Sequence, residues 1–420
     1  MEMRSFCRAT ALALGLGLVS SQLALAGTLT VRPGVPSVGG LARYTGTHGL
    51  EVNVSSPDRN PAFVQSSHPT AESTYRVRFY VNLRNLTMAE GDEFDLFTAY
   101  DGSDPVPPAT TGNALLRVVI RHTGGENVLS AFARIDSGSS TEIPNDVALE
   151  DGWRVIELDW AKATTADANN GRLNLWVDGT AQTGLTTLDN FAAGINYSRW
   201  GSVSGVDAGT SGTFKLDDFA SQRTGYIGPL SVFSDVTTAS SNWPFVQALY
   251  AAEITSGCTT TTYCPNNNVT RAQMAIFLVR AIHGPDFVPP AATGDFADVN
   301  IASFEAPYIE QFAADGITSG CATNPLRYCP VNPVLRSQMA VFLLRAKHGA
   351  AYVPPPATGT VFADVPANMQ FADFIEQLAA EGITTGCGGG NYCPAASVNR
   401  AQMAIFITRA FDLPMQIVGP

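Results

Sequence analysis

Charge is scarce in this sequence, and what there is leans one way. Asp, Glu, Lys and Arg make up 15% of the 420 residues, the formal net charge is -12, and there are five histidines. No run of Lys or Arg occurs, so the basic stripe that nucleic-acid binding needs is missing and the composition gives an acidic surface suited to solubility. Beyond residue 26 no stretch is long and apolar enough for a membrane span, which takes about 20 residues. Cysteine is rare too: Cys7 stands alone near the start, and the other six of the seven lie between Cys258 and Cys393. At this length the chain exceeds a usual domain of about 100 to 200 residues, so two or more modules are expected.

Residues 1–26 read as a secretory signal. Arg4 and Arg8 supply the positive end, Ala9 to Val19 the apolar segment, and Ala24-Leu25-Ala26 the small-residue cleavage site. The mature chain is therefore expected to begin at Gly27 and to be exported to the cell surface.

Residues 27–228 carry strand grammar. Tyr75, Val77, Phe79 and Val81 alternate with Arg76, Arg78, Tyr80 and Asn82, which gives one apolar and one polar face. Further strands are expected at Phe94 to Tyr100, Leu115 to His122, Val128 to Ile135, Trp153 to Trp160, Arg172 to Val177 and Thr213 to Ala220, separated by turns such as Asp178-Gly179. Short strands without an amphipathic helix predict an all-β, two-sheet sandwich of jelly-roll type. Trp153, Trp160, Trp176 and Trp200 could stack on sugar rings, but core packing is the commoner use of such aromatics.

The last third repeats itself. Tyr263-Cys264-Pro265, Tyr328-Cys329-Pro330 and Tyr392-Cys393-Pro394 each precede a helix-forming stretch opened by Arg271, Arg336 or Arg400, and these arginines lie 65 and 64 residues apart. A fixed period of this kind marks one supersecondary unit copied so that neighbours bury each other's apolar faces. The copies occupy 231–286, 294–351 and 360–420, joined by linkers with Pro289-Pro290 and Pro354-Pro355-Pro356. Within each, a first helix is expected at Trp243 to Glu253, Ala306 to Asp315 and Ala372 to Glu381. The second helix starts with a capping box, Thr270 with Gln273 and Asn399 with Gln402. Leu335 cannot cap, so the second copy lacks the box. Each copy owns one cysteine pair: Cys258 with Cys264, Cys321 with Cys329, Cys387 with Cys393. In an exported chain this partition reads as local disulfides, while a metal reading needs further ligands and no histidine recurs beside the pairs. Each closes a short loop worth about 2.5 kcal/mol by chain entropy. His283 and His348 end the second helices, where they complement the helix dipole.

Two resemblances follow from these residues. The openings Phe233-Ser234-Asp235-Val236, Phe296-Ala297-Asp298-Val299 and Phe362-Ala363-Asp364-Val365, the Gly-Ile-x-x-Gly at Gly316 and Gly382, the Tyr-Cys-Pro turns and Thr270-Arg271-Ala272-Gln273 resemble three tandem S-layer homology domains. Gln stands for that family's Glu in all three copies, Glu253 replaces its first Gly, and its first-helix Trp survives only as Trp243. The resemblance implies a mainly α-helical triple repeat that holds exported proteins noncovalently to acidic envelope polysaccharide, with Arg271, Arg336, Arg400, Gln273, Gln338 and Gln402 at the polymer. The physical case is a bidentate guanidinium at a positive helix terminus; the plain alternative is an arginine whose stem covers apolar neighbours.

More weakly, Gly152 to Trp160, Leu173 to Gly179 and Phe214 to Phe219 resemble strands of concanavalin A-like and laminin G-like sandwiches, folds that serve lectins, glycosidases and spacers alike. Glycosidase chemistry would need two facing carboxylates. Glu157 with Asp159 and Glu93 with Asp95 have the spacing, but the second Glu that the glucanases of this fold carry is missing, and both pairs are expected on a polar outer strand face. Asp217 and Asp218 could hold calcium only with further oxygen ligands. The resulting expectation is a non-enzymatic surface protein with no cofactor, no metal and no catalytic residue, bound to envelope polysaccharide and presenting a sandwich to a glycan or protein. The alternatives are an envelope-attached glycan-active enzyme and a structural surface-layer assembly protein.

Overall fold

The computed structural model describes residues 28–33, 44–45, 48–55, 61–103 and 109–419. The expected signal segment lies outside them. The chain divides into two compact units: one runs through Leu230 and takes in Gln416–Pro420, the other is Ser231–Met415.

Among the described residues the first unit contains sixteen strands and no helix. They are β1 (Thr28–Pro33), β2 (His48–Asn53), β3 (Ala62–Glu72), β4 (Thr74–Asn82), β5 (Leu86–Thr87), β6 (Glu93–Tyr100), β7 (Ala114–Thr123), β8 (Glu126–Arg134), β9 (Ser140–Glu142), β10 (Val147–Ala148), β11 (Trp153–Ala161), β12 (Gly171–Val177), β13 (Thr180–Ala181), β14 (Leu185–Leu188), β15 (Ile195–Ser204) and β16 (Ser211–Gln222). One sheet has the order β1-β2-β16-β4-β11-β12-β13 and the other β10-β8-β7-β6-β15-β3, with antiparallel pairing throughout. Only the apolar half of the alternation read in Tyr75 to Val81 is realised as expected: Val77, Phe79 and Val81 join Ile156, Leu158, Leu173, Leu175 and, from the facing sheet, Phe97, Val118, Leu129 and Trp200 in one core, while Arg78, Tyr80 and Asn82 of the polar half are buried as well. Period-two patterning sends every second side chain to that core, which is why the register is fixed. Trp153, Trp160, Trp176 and Trp200 are all buried.

The second unit is built from six helices. Three first helices, α1 (Trp243–Ala251), α3 (Ala306–Ala314) and α5 (Ala372–Ala380), alternate with three second helices, α2 (Arg271–His283), α4 (Arg336–His348) and α6 (Arg400–Ala410). Each second helix packs on the first helix of the next copy: α2 on α3, α4 on α5 and α6 on α1. The contact carries a recurrent cation over an aromatic ring, Arg280 on Tyr308, Arg345 on Phe374 and Arg409 on Phe245, at 5.7, 5.8 and 5.7 Å. The linkers are pinned rather than loose. Glu310 accepts the N–H groups of Thr293 and Gly294 at 2.6 and 2.8 Å, and Glu376 those of Thr358 and Gly359 at 2.6 and 2.7 Å.

Candidate functional site

The local unit of each copy is a clamped turn. Asp235 accepts the N–H of Tyr263 and Cys264 at 2.8 and 2.7 Å, Asp298 those of Tyr328 and Cys329 at 2.8 and 2.9 Å, and Asp364 those of Tyr392 and Cys393 at 2.7 and 2.8 Å. The opening Phe-x-Asp-Val therefore holds the Tyr-Cys-Pro turn by charge-assisted bonds. Such a hold is needed because Cys264, Cys329 and Cys393 sit at φ of 58, 59 and 60°, a region that side chains other than glycine rarely occupy. The disulfides Cys258–Cys264, Cys321–Cys329 and Cys387–Cys393 close the same turns within each copy. Burial pushes the Asp364 carboxyl up, but the two N–H donors outweigh it and leave the group below its ordinary value.

Those turns lock the copies into a ring. The phenol of Tyr328 donates to Arg271 O at 2.7 Å, that of Tyr392 to Arg336 O at 2.7 Å and that of Tyr263 to Arg400 O at 2.9 Å. In return Arg271 Nε donates to Tyr328 O, Arg336 Nε to Tyr392 O and Arg400 Nε to Tyr263 O at 2.7, 2.7 and 2.6 Å. Backbone bonds run the same circuit: Val269 N–H to Val398 O, Val398 N–H to Val334 O and Val334 N–H to Val269 O, at 2.8, 2.9 and 2.9 Å. First joins second, second joins third, and third returns to first, so each copy needs both neighbours to satisfy its polar backbone.

This circuit changes how the arginines act. Arg271, Arg336 and Arg400 are only 4, 2 and 4% exposed. Each guanidinium lies over the neighbouring tyrosine ring at 4.8, 4.6 and 4.6 Å and near a phenylalanine, Phe342, Phe406 or Phe277, at 5.4 Å. None forms a salt bridge among the described residues, and burial lowers the pKa of all three. The Nη2 atoms of Arg336 and Arg400 are buried without a hydrogen-bond partner, while that of Arg271 reaches Thr318 Oγ1 at 3.5 Å. A stem lying over surface apolar groups does not describe these side chains.

The helix entrances, expected to offer free N–H groups to an anion, are largely filled. Arg271 and Ala272 N–H donate to Asn332 and Pro330 O, Arg336 and Ser337 N–H to Ala396 and Pro394 O, and Arg400 and Ala401 N–H to Asn267 and Pro265 O, all between 2.9 and 3.0 Å. Gln273, Gln338 and Gln402 turn back on their own helices: their Oε1 atoms accept the cap N–H of Thr270, Leu335 and Asn399 at 3.2, 3.3 and 3.2 Å. Sequence reasoning placed one arginine and one glutamine at the start of each second helix but could not see that the neighbouring turn consumes the donors.

The sandwich carboxylates are committed as well. Glu157 and Asp159 were expected on a polar outer face, yet they are 2 and 6% exposed. Glu157 accepts the N–H groups of Ile227 and Gly228 at 2.8 and 2.7 Å and Arg76 Nη1 at 3.1 Å, while Asp159 pairs with Arg76 at 3.2 Å and Arg172 at 3.0 Å. Burial raises the Glu157 pKa; at Asp159 burial acts the same way but Arg172 and Arg76 prevail and lower it. The segment that returns over this sheet supplies the covering groups, a long-range contact invisible in strand patterning. Asp95 pairs with Arg117 and Glu93 with Arg121, at 2.6 and 2.9 Å. Arg121 also reaches Glu142 at 2.6 Å, so Glu93 and the sequence-distant Glu142 share one guanidinium. Asp217 Oδ2 accepts the N–H of Tyr44 and Thr45 at 2.7 and 3.0 Å, and Asp218 accepts Thr45 Oγ1 at 2.5 Å. Burial, with the adjacent Asp218, raises the Asp217 carboxyl well above its usual range.

Comparison with known proteins bears on both units. The family model described as S-layer homology domain matches residues 232–275 and 361–404, which indicates attachment to the cell envelope; it matches the first and third copies and not the second. No helix among the described residues is long and apolar enough to cross a membrane. An amylopullulanase of Thermoanaerobacterium thermosulfurigenes is 26% identical over 214 residues, 50% of this chain and 11% of that protein. An endoglucanase of Bacillus sp. (strain KSM-635) is 32% identical over 114 residues, 27% of this chain and again 11% of the relative. The botulinum neurotoxin serotype G binding domain is a structural neighbour, with a TM-score of 0.33 and 8% identity over 49% of this chain and 44% of that one. Both sequence relatives are named as enzymes, which overturns the expectation of a non-enzymatic protein.

Proposed function

We propose that this chain is an envelope-attached, glycan-active protein. Residues 231–286, 294–351 and 360–420 act as three S-layer homology copies that hold an acidic envelope polysaccharide at their seams, and the exported sandwich, residues 27–228, engages a glycan. The observation that carries the anchor is the set of three buried arginines that form no salt bridge among the described residues, two of them with an unpartnered Nη2. A buried charge left unpaired is costly, and a polymer carboxylate is the partner that would relieve it. Arg271, Arg336 and Arg400 serve as donors in this reading. Gln273, Gln338 and Gln402 form the edge of each seam. The glycan-active part rests on the names of the two sequence relatives.

The test is sedimentation of the full chain with purified envelope, before and after chemical removal of acidic polymers. Charge-assisted contacts are worth about 1.5 to 3 kcal/mol, so Arg336→Gln is expected to weaken binding by about 10- to 100-fold in a variant that circular dichroism shows to be folded. Equal sedimentation with the stripped envelope would remove the anchor reading. Release of reducing ends from α- and β-linked glucans is the matching assay for the sandwich.

A further inference from the structure

The three disulfides do not share the same surroundings. In every pair the first sulfur is the accessible one: Cys258, Cys321 and Cys387 are exposed, while Cys264, Cys329 and Cys393 are half-buried. In the first copy a hydroxyl is within reach of both sulfurs, since Thr262 Oγ1 lies 3.3 Å from Cys258 Sγ and 3.9 Å from Cys264 Sγ. Thr259 Oγ1 already accepts the N–H groups of Thr261 and Thr262 at 3.3 and 3.0 Å, so its own hydrogen goes to Thr262 Oγ1 at 2.5 Å and the Thr262 hydrogen is left for sulfur. The place of Thr262, whose carbonyl accepts the N–H of the first cysteine, is taken by the exposed Arg327 in the second copy and by Asn391 in the third. Among the described residues neither of those side chains hydrogen-bonds a sulfur as Thr262 does. The second copy has a carboxylate close by instead: Asp298 and the sulfurs of Cys321 and Cys329 lie within 4.8 Å of one another, and among the described residues no other pair has an acid group that close to both sulfurs.

We propose that Cys258–Cys264 is a thiol-exchange switch, reduced before the other two pairs by an external dithiol, and that its opening loosens the joint between the third and first copies. A thiolate of the dithiol attacks Cys258 Sγ: a mixed disulfide forms, the bond to Cys264 breaks and its electron pair stays on Cys264 Sγ. The second thiol of the reductant then displaces Cys258, so the dithiol departs as its own disulfide and its two protons end on the two cysteines. Exchange is faster when the departing thiolate is stabilised, which the Thr262 hydroxyl does and the Asp298 carboxylate opposes. The expected order is therefore Cys258–Cys264, then Cys387–Cys393, then Cys321–Cys329. The third copy leans on the turn that is released: Tyr263 O accepts Arg400 Nε at 2.6 Å, Pro265 O accepts Ala401 N–H at 2.9 Å and Asn267 O accepts Arg400 N–H at 2.9 Å. Cys264 stands between the first two of these acceptors at φ 58°, and reduction removes one restraint on that unfavourable conformation. The switch does not depend on which polymer the unit binds.

The experiment treats the full chain with dithiothreitol for timed intervals, traps free thiols with iodoacetamide and measures alkylation of each pair by peptide mass spectrometry. Cys258 and Cys264 are expected to be trapped about 10-fold faster than Cys387 and Cys393, the size of one hydrogen bond to a charged group, with Cys321 and Cys329 last. Thr262→Val keeps the shape and removes the hydroxyl, so it should slow the first pair to the rate of the third, while Asn391→Thr should quicken the third. In the double variant Cys258→Ser/Cys264→Ser, amide hydrogen exchange should rise at Arg400 and Ala401 and stay at the parent value at Arg336 and Ser337. Equal rates for the three pairs overturn the switch, as does a first-pair rate unmoved by Thr262→Val. Should that variant not fold, an unquickened third pair in Asn391→Thr overturns it instead. Unchanged exchange at Arg400 and Ala401 overturns the loosened joint.

Discussion

Replacing Arg271 by lysine tests whether the seams are structural joints. The guanidinium does two things that one ammonium cannot do together: Nε donates to Tyr328 O at 2.7 Å while the plane lies 4.8 Å from the Tyr328 ring and 5.4 Å from Phe342. A hydrogen bond to a charged group is worth about 1.5 to 3 kcal/mol, and a desolvated cation over an aromatic ring about 2 kcal/mol. Lysine retains part of the second and little of the first, so a loss of about 2 to 4 kcal/mol is expected. For a unit of this size that corresponds to a melting temperature lower by about 5 to 15 °C. Because Tyr328, Tyr392 and Tyr263 pass the contact around a closed circuit, the loss should appear in one cooperative transition of the second unit rather than in a separate melting of the first copy. Urea unfolding of the full chain followed by near-ultraviolet circular dichroism, with the disulfides intact, measures both. A shift below about 0.5 kcal/mol, the size of an ordinary surface substitution, would refute the joint. So would an early transition confined to the first copy.

Two further outcomes follow from backbone conformation and from burial. Gly386 sits at φ +90° with a Cβ position 2.3 Å from Asn391 O and 2.9 Å from Phe362 Cε1, so Gly386→Ala should cost about 3 kcal/mol or more. Gly382, at φ +72° in open space, should lose only about 1 kcal/mol on the same change, since the first copy already places Glu253 at φ 62° there; equal losses in thermal melts would contradict this account. Asp217 has its carboxyl pKa raised by burial and by Asp218, so the folded state binds a proton that the unfolded state has already released. Its contribution is complete below the ordinary carboxylate range and is lost as pH rises toward the folded value. Asp217→Asn should accordingly gain stability over the parent in neutral and alkaline buffer, with the gain fading on acidification; a gain that grew toward acid pH would reverse the sign.

Much of this protein was legible one residue at a time. The period of 65 and 64 residues, the cysteine pairs, the caps at Thr270 and Asn399 and the alternation from Tyr75 to Val81 are local features, and local physics suffices to read them: a helical or strand period, a side chain that can or cannot accept a hydrogen bond, a short loop closed by sulfur. The failures share a cause. β15, with its serines and Gly201, and β3, an edge strand that contains Pro69, have weak patterns of their own and exist because a neighbour's ladder completes them. Glu157 and Asp159 look outward by alternation and are buried because distant groups, Ile227, Gly228 and Arg172, close over them. The arginines were found by repetition, but whether their helix entrances are open is decided by distant turns, 56 or 57 positions away for Arg336 and Arg271 and 137 for Arg400. Sequence determines which groups each copy presents, because that depends on neighbours along the chain; tertiary structure alone decides which of them remain unsatisfied, because a hydrogen bond is consumed by whichever partner the fold brings within reach.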